Sequence, residues 1–261
     1  MSRRSGSTPS ATVKSARRVM EIFELFDRLQ CDLSLADVVR ELGYPASSAS
    51  ALLHSLADLG YLSTDTQNRT FRPTARVTLL GSSFNSAYFR DGALHRMMKD
   101  LNDRTGETII LAVQTDLIAR YIHVVQGTNP MRLYVQQGAI RPMAHSGVGR
   151  LFLSRYPLDE RRKIVTRLNA NRHPEEPYID FAEISEDMKR IRKFGYAVSA
   201  DRVTPGAGVV ARFLPSSDKE QPMVIGIGGL SEVIRTRQAD FGELLRIAIN
   251  IHLTSIPEPN A

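Results

Sequence analysis

Cysteine is almost missing: Cys31 stands alone in 261 residues. One thiol cannot build a disulfide framework, a multi-cysteine zinc site or an iron–sulfur site, and such sparing use fits a reducing cytosol. Long apolar runs are missing too, and none approaches the roughly 18 residues of a membrane span. Residues 1–6 bring Arg3 and Arg4 with no apolar stretch after them, so no secretory leader is expected there. The remainder is ordinary globular material, 42% hydrophobic and 24% charged. At roughly 100–200 residues per domain, this length predicts one large domain or, better, two.

Acidic residues are absent from the first 20 positions, which hold Arg3, Arg4, Lys14, Arg17 and Arg18. The formal charge is +6, from 34 basic and 28 acidic residues. Without those five the balance is 29 against 28, so the excess belongs to one end. A basic arm over residues 1–14, rich in Ser and Thr, predicts disorder ahead of a folded body. It suits a polyanion; a plain solvated tail is the other reading.

Apolar spacing then predicts three short helices. Val19, Ile22, Phe23 and Phe26 mark the first, over 16–29. Ser34 reads as the N-cap of a second, striped by Leu35, Val38, Val39 and Leu42 and closed by Gly43. Pro45 opens the third, over about 45–59, with Ala49, Leu52, Leu53 and Leu56 inward. Tyr61–Ser63 and Thr70–Arg72 read as a strand hairpin. This order within about 60 residues describes a winged helix-turn-helix. A helical bridge follows, from Val77 to Phe89. Beyond it, helices are expected over 94–105, 148–156, 159–169 and 184–194, with a last one carrying Phe241, Leu244, Leu245, Ala248 and His252. Strands are expected over 108–113, 120–125, 131–136, 196–200, 209–214 and 223–227, a sheet of roughly six. Strands mixed with helices and linked by hairpins indicate an α+β fold.

Ser15–Val19, Leu35–Gly43 and the run Leu52-Leu53, Leu56, Leu59–Leu62 resemble the DNA-binding domain of the isocitrate lyase regulator (IclR) family. Thr105–Val113 resembles the entry to that family's effector domain, and Arg132–Tyr134, Gly149-Arg150, Gly195–Val198 and Pro205-Gly206 follow in family order. The likeness spans about residues 15–255. It implies a bacterial, ligand-responsive transcription regulator of the cytoplasm. The implied domains are a winged helix-turn-helix over 15–75, a linker helix over 76–90 and an effector-binding, oligomerising domain over 91–255 with a GAF/profilin-like, roughly six-stranded antiparallel sheet. Residues 256–261 form a tail. The implied partners are double-stranded operator DNA, a small-molecule effector and further copies of the chain, as a homodimer or homotetramer; no membrane, cofactor or metal is implied. A small-molecule-binding protein or a hydrolase using the helix-turn-helix as scaffold is the competing class.

Two departures from the family pattern bear on specificity. Ala46, Ser50 and Ala51 stand where the family offers Lys, His and Arg in the recognition helix. Ser199 replaces an acid, Val209 a pocket cysteine, and Gly226 and Gly228 two serines. The candidate DNA contacts are Ser47, Ser48, Ser50 and His54 on the third helix. Arg17, Arg18, Arg69, Arg72 and the arm are expected to supply most of the affinity. The candidate effector lining is Leu111, Val113, Tyr134, Met143, Leu151, Val209 and Val210. Ser146, Ser199, Asp201 and the backbone around Gly147 are its polar groups. Gly226 and Gly228 either leave extra room, favouring a ligand larger or more hydrophobic than a short keto acid, or mark tight strand packing.

Catalysis is not expected. His145-Ser146 is not a nucleophile elbow, and no Gly-x-Ser-x-Gly occurs. The six histidines show no i,i+4 pair. Gly226–Gly229 lacks the third spaced glycine of a dinucleotide turn, and Leu230–Glu232 does not open an obvious helix of a βαβ unit, so a strand with close backbone packing is expected. Retention on heparin, lost on deleting residues 1–75, is the expected behaviour of the regulator; retention by the truncated chain would favour the competing class.

Overall fold

The computed structural model describes residues 13–82, 92–173, 176–216 and 220–253. Two compact units divide the chain, Met1–Asn85 and Ser86–Ala261. Residues 1–12 of the arm, the bridge from 83 to 91 with Phe84, and the tail 256–261 lie outside the described residues.

The first unit runs α1 (Lys14–Leu29), β1 (Leu33–Ser34), α2 (Leu35–Leu42), α3 (Ala46–Asp58), β2 (Leu62–Asp65), β3 (Thr70–Pro73) and α4 (Ala75–Ser82). Ser34 caps α2 as expected. Its hydroxyl accepts from the Asp37 N–H, while the Asp37 carboxylate accepts from the Ser34 N–H and hydroxyl. These bonds hold the Asp37 carboxyl down at about 2. The hairpin β2–β3 has a third member that the sequence did not reveal, the two-residue β1, paired antiparallel to β3. Ile22, Leu25, Phe26, Val38, Ala49, Leu53 and Phe71 form the core. Phe26 is therefore buried and Phe23 half-buried, whereas Val13, Met20, Leu29, Leu59, Leu79 and Leu80 are exposed.

The second unit runs α5 (Ala93–Thr105), β4 (Thr108–Thr115), β5 (Ile118–Val125), β6 (Ile140–Pro142), α6 (Gly147–Leu153), α7 (Leu158–Asn171), α8 (Phe181–Phe194), β7 (Ala197–Ala200), β8 (Ala207–Phe213), β9 (Met223–Leu230) and α9 (Ser231–Leu253). Six strands form one antiparallel sheet in the order β6-β5-β4-β9-β8-β7. Helices cover both faces, which explains the unbroken apolar runs of β4 and β9. Ile109, Leu111, Val113, Val210, Ile225 and Ile227 pack with α5 and α9. Ile110, Ala112, Val209, Ala211 and Val224 face α6, α7 and α8.

One expectation is corrected here. Residues 131–136 form no strand, and the sixth strand is β6. The segment is held by side chains instead: Thr108 Oγ1 donates to the Leu133 carbonyl at 2.6 Å, and Gln126 brackets both backbone groups of Val135. Those bonds replace a ladder. Helix α9 opens at Ser231, directly after β9, where Ile234 extends the stripe of Phe241, Leu245 and Ala248 by two turns. It follows an antiparallel strand, so no βαβ unit results.

Helix α6 lies very close to the sheet. A Cβ on Gly147 would meet Ser199 Cβ at 2.9 Å, and one on Gly149 would strike the Met143 backbone. Buried Arg150 then ties α6 outward. Its Nε donates to the Ala144 carbonyl at 2.6 Å, and its Nη1 bonds Glu183 at 3.1 Å and Asp187, both on α8. Without Arg150 the Ala144 carbonyl loses its donor, while Arg202 still answers Glu183 and Asp187. Arg150→Ala is expected to destabilise the second unit by about 2 kcal/mol, the worth of hydrogen bonds to a charged group, read as a lower urea midpoint.

Candidate functional site

The first unit presents α3 beside the wing. Ala49, Leu53 and Leu56 anchor the helix, turning Ser47, Ala51 and His54 outward, with Ser48 and Ser50 half-buried. Between 46 and 58 there is no basic residue. The His54 ring meets Phe71 edge-on at 5.6 Å, joining α3 to β3. Positive charge comes from around this helix, and most of it is locally answered. Arg17 faces Glu21 at 3.7 Å, Arg28 faces Glu41 at 3.0 Å and Arg40 faces Asp37 at 2.6 Å. Arg18 lies over the Tyr44 ring at 4.6 Å, and Arg76 over that of Tyr61 at 4.8 Å. Arg72 is held by Asp32 through two bonds of 2.6 and 2.7 Å. Lys14 and Arg69 make no ion pair with any described residue. Arg69 sits at the exposed tip of the wing with a left-handed backbone, φ 54°.

The second unit holds a cleft against the α6 face of the sheet. Ile110, Val209 and Gly228 form its floor, Leu133 and Val135 its roof, and Ser199 and the α6 start its far wall. It offers about 50 Å³. Ser146 is committed locally: its hydroxyl donates to the Pro142 carbonyl and accepts from the Gly149 N–H, both at 2.9 Å. Arg141 lies over the Tyr121 ring at 5.0 Å and donates to its neighbour's carbonyl, Ile140, with no carboxylate paired to it among the described residues. Burial pushes the Tyr121 phenol up despite that guanidinium. His145, beside the cleft, is pushed down by burial and by Arg150, against the opposing pull of Glu176 and Glu183. Among the described residues no three His, Cys, Asp or Glu side chains cluster as metal ligands.

Residues 15–66 match the IclR helix-turn-helix domain, and residues 92–251 match the bacterial transcriptional regulator IclR C-terminal domain. The chain belongs to the IclR family of bacterial transcriptional regulators. It is 25% identical to the transcriptional repressor IclR of Escherichia coli K12 over 236 residues, covering 89% of this chain and 86% of that one. It is 24% identical to the acetate operon repressor of Salmonella typhimurium LT2 over 250 residues, covering 92% and 91%. The crystal structure of an IclR family transcriptional regulator from Brucella abortus shares the fold, with a TM-score of 0.57 at 23% identity over 97% of both chains. An IclR family regulator is not an enzyme. It has an amino-terminal helix-turn-helix DNA-binding domain and a carboxy-terminal effector domain.

Within this IclR family chain, the cleft gathers Ser146, Gly147, Ser199, Val209 and Gly228 of the sequence-derived set. Leu111, Val113 and Val210 are corrected: they point through the opposite face of the sheet into the α5–α9 core. Met143 and Leu151 are sealed in the core behind α6, and Tyr134 turns outward, 68% exposed. Asp201 leaves the cleft to accept from the Gly206 N–H and pair with Arg235 at 2.5 Å. Gly226 lies on the right face, but Val209 and Ile110 close over it. Arg141, Tyr121, Ile110, Leu133 and Val135 were missed, although the alternation of β4 could have chosen Ile110 once the sheet face was known.

The wing geometry separates two arginines that the sequence treats alike. Arg69→Ala is expected to lower the slope of log K against log salt by about 1, the loss of one phosphate contact. Arg72→Ala should lower it less, because Asp32 already answers that charge, and Asp32→Ala should steepen it. Equal slopes in all three variants would remove the wing from the interface.

Proposed function

We propose that this regulator acts in the cytoplasm as a homodimer or homotetramer on a pseudo-palindromic operator. We propose further that its effector is an aromatic or branched aliphatic monocarboxylate. The domains of a one-component regulator support the first part. A single helix-turn-helix reads few bases, and two-fold pairing doubles the site. Exposed Met20, Leu79 and Leu80 offer apolar surface for pairing in the first unit. On DNA, α3 enters the major groove with Ser47, Ser48, Ser50 and His54, while Lys14, Arg69 and the arm engage phosphates; Arg17, Arg18 and Arg72 contribute as far as their local partners release them.

Arg141 is the observation that carries the effector class. It is a half-buried guanidinium with no carboxylate paired to it among the described residues, beside a cleft walled by Ile110, Leu133, Val135 and Val209. Such a place suits one anionic oxygen pair and an apolar body. Ser199 and Thr204 add hydrogen-bonding capacity. About 50 Å³ holds a few waters and no catabolite. Binding therefore needs the roof to move, and residues 131–136 form that roof without a strand ladder to break.

Selection from a random duplex pool with the full chain should enrich an inverted repeat, and light scattering should return at least a dimer. A thermal-shift screen should favour carboxylates over the matching amides. Arg141→Ala should weaken the best carboxylate about tenfold or more, the worth of a charge-assisted bond. Gly228→Leu should abolish the response while DNA binding persists. Amides that bind as well as acids would overturn the anion, and an unchanged response in Gly228→Leu would overturn the cleft.

A further inference from the structure

The roomier hollow of the second unit is not the cleft over Gly228. Between α8 and α9, beside β7, lies a cavity of about 420 Å³, within the usual range of roughly 300–1,000 Å³ for small-molecule sites. β7 is the last strand of the sheet, so one side of its backbone has no strand to pair with. Ile191 and Phe194 of α8, Tyr196 and Val198 at the strand, and Ala239 of α9 supply apolar walls. The Phe194 and Tyr196 rings stand 5.9 Å apart at 35°, and Phe194 remains 51% exposed.

Charge at this cavity is unbalanced. Arg150 closes its inner end, bonded to Glu183 and Asp187, and Arg202 shares the same two carboxylates. Arg190 lines the cavity and makes no ion pair with any described residue. Among the lining residues two guanidinium groups, Arg150 and Arg190, thus stand against one carboxylate, Asp187, and Lys193 adds a further cation over the Phe194 ring at 5.2 Å. Asp187 is already taken by Arg150 and Arg202, so a cationic ligand would find no free acid in the lining. An anion would find Arg190, and a flat apolar body would find the two rings. We infer that the cavity between α8, β7 and α9 is a second small-molecule site, for an aromatic organic anion.

The two hollows share no lining residue. Helix α6 runs between them, with Ser146 and Gly147 at the first and Arg150, one turn on, at the second. The inference does not depend on what fills the first cleft.

The test titrates the full-length protein with 1-anilinonaphthalene-8-sulfonate, an aromatic anion, by calorimetry. Saturable binding is expected, with Ala239→Trp and Arg190→Glu each weakening one site at least tenfold at unchanged melting temperature. Gly228→Leu should leave that site intact. If Ala239→Trp melts early, Gln238→Trp on the exposed rim makes the same test. Three results would overturn the inference: no saturable binding, a titration unmoved by the tryptophan and glutamate variants, or loss only in Gly228→Leu. An effect of the tryptophan without one of Arg190→Glu would overturn the anionic class.

Discussion

A charged side chain in a protein interior must be answered by its neighbours, and Arg150 is answered from two elements besides its own. It is 4% exposed, and its guanidinium reaches the Ala144 carbonyl and two carboxylates of α8. Desolvating that charge costs several kcal/mol, which the hydrogen bonds must offset. The arrangement ties α6 to α8 and to its own approach at Ala144. Gly147 and Gly149 allow that position by removing side chains from the approach to Ser199 and Met143. Placing α6 also places the Ser146–Gly147 corner of the cleft and the inner wall of the edge cavity. Both hollows therefore depend on one buried ion pair.

Local elements were legible where chemistry acts over a few residues. The Ser34 cap, the α2 stripe closed by Gly43 and the wing hairpin all rest on neighbours within the segment, and the structure has them. The sheet face was not legible in the same way. In β4 the run Ile109–Val113 is apolar on both sides, because helices cover both sides of the sheet. Alternation then assigns residues to two sets without saying which set faces the ligand. One step of parity separates Leu111 from Ile110, and Val210 from Val209. Residues 131–136 failed differently: apolar and β-prone, they are drawn away from the sheet by bonds to Thr108 and Gln126 from elsewhere in the chain.

Charge shows the same division between composition and contact. Counting basic residues locates the excess at the amino-terminal end and singles out a DNA-facing domain. It cannot see that Asp32, forty residues before Arg72, closes on it through two bonds. Once such pairs are drawn, the cations of the described first unit without a carboxylate partner reduce to Lys14, Arg18, Arg69 and Arg76, and two of these, Arg18 and Arg76, lie over tyrosine rings. The bare serine face of α3 then fits a division of labour. In the proposed complex, phosphate contacts from the periphery would supply affinity, and short side chains would let the helix approach base edges closely.

The two glycines of β9 illustrate why an absent side chain is not yet a cavity. A Cβ on Gly226 would stand 3.0 Å from Val209 and 3.1 Å from Ile110, so the space is already filled by those neighbours. At Gly228 the nearest atom is Leu133 Cδ2 at 3.4 Å, an ordinary contact made by the tip of a flexible side chain. Only the second glycine therefore contributes room, and it does so beneath the segment that has no ladder. On the proposed reading, a ligand's apolar end would lie there, where the roof can yield at the cost of a few side-chain bonds. Its charged end would lie toward Arg141, which β6 sets over the Tyr121 ring of β5. A cationic wall with a yielding apolar roof would then order the two events of the proposed binding: the anion caught first, and Leu133 displaced as the body is buried.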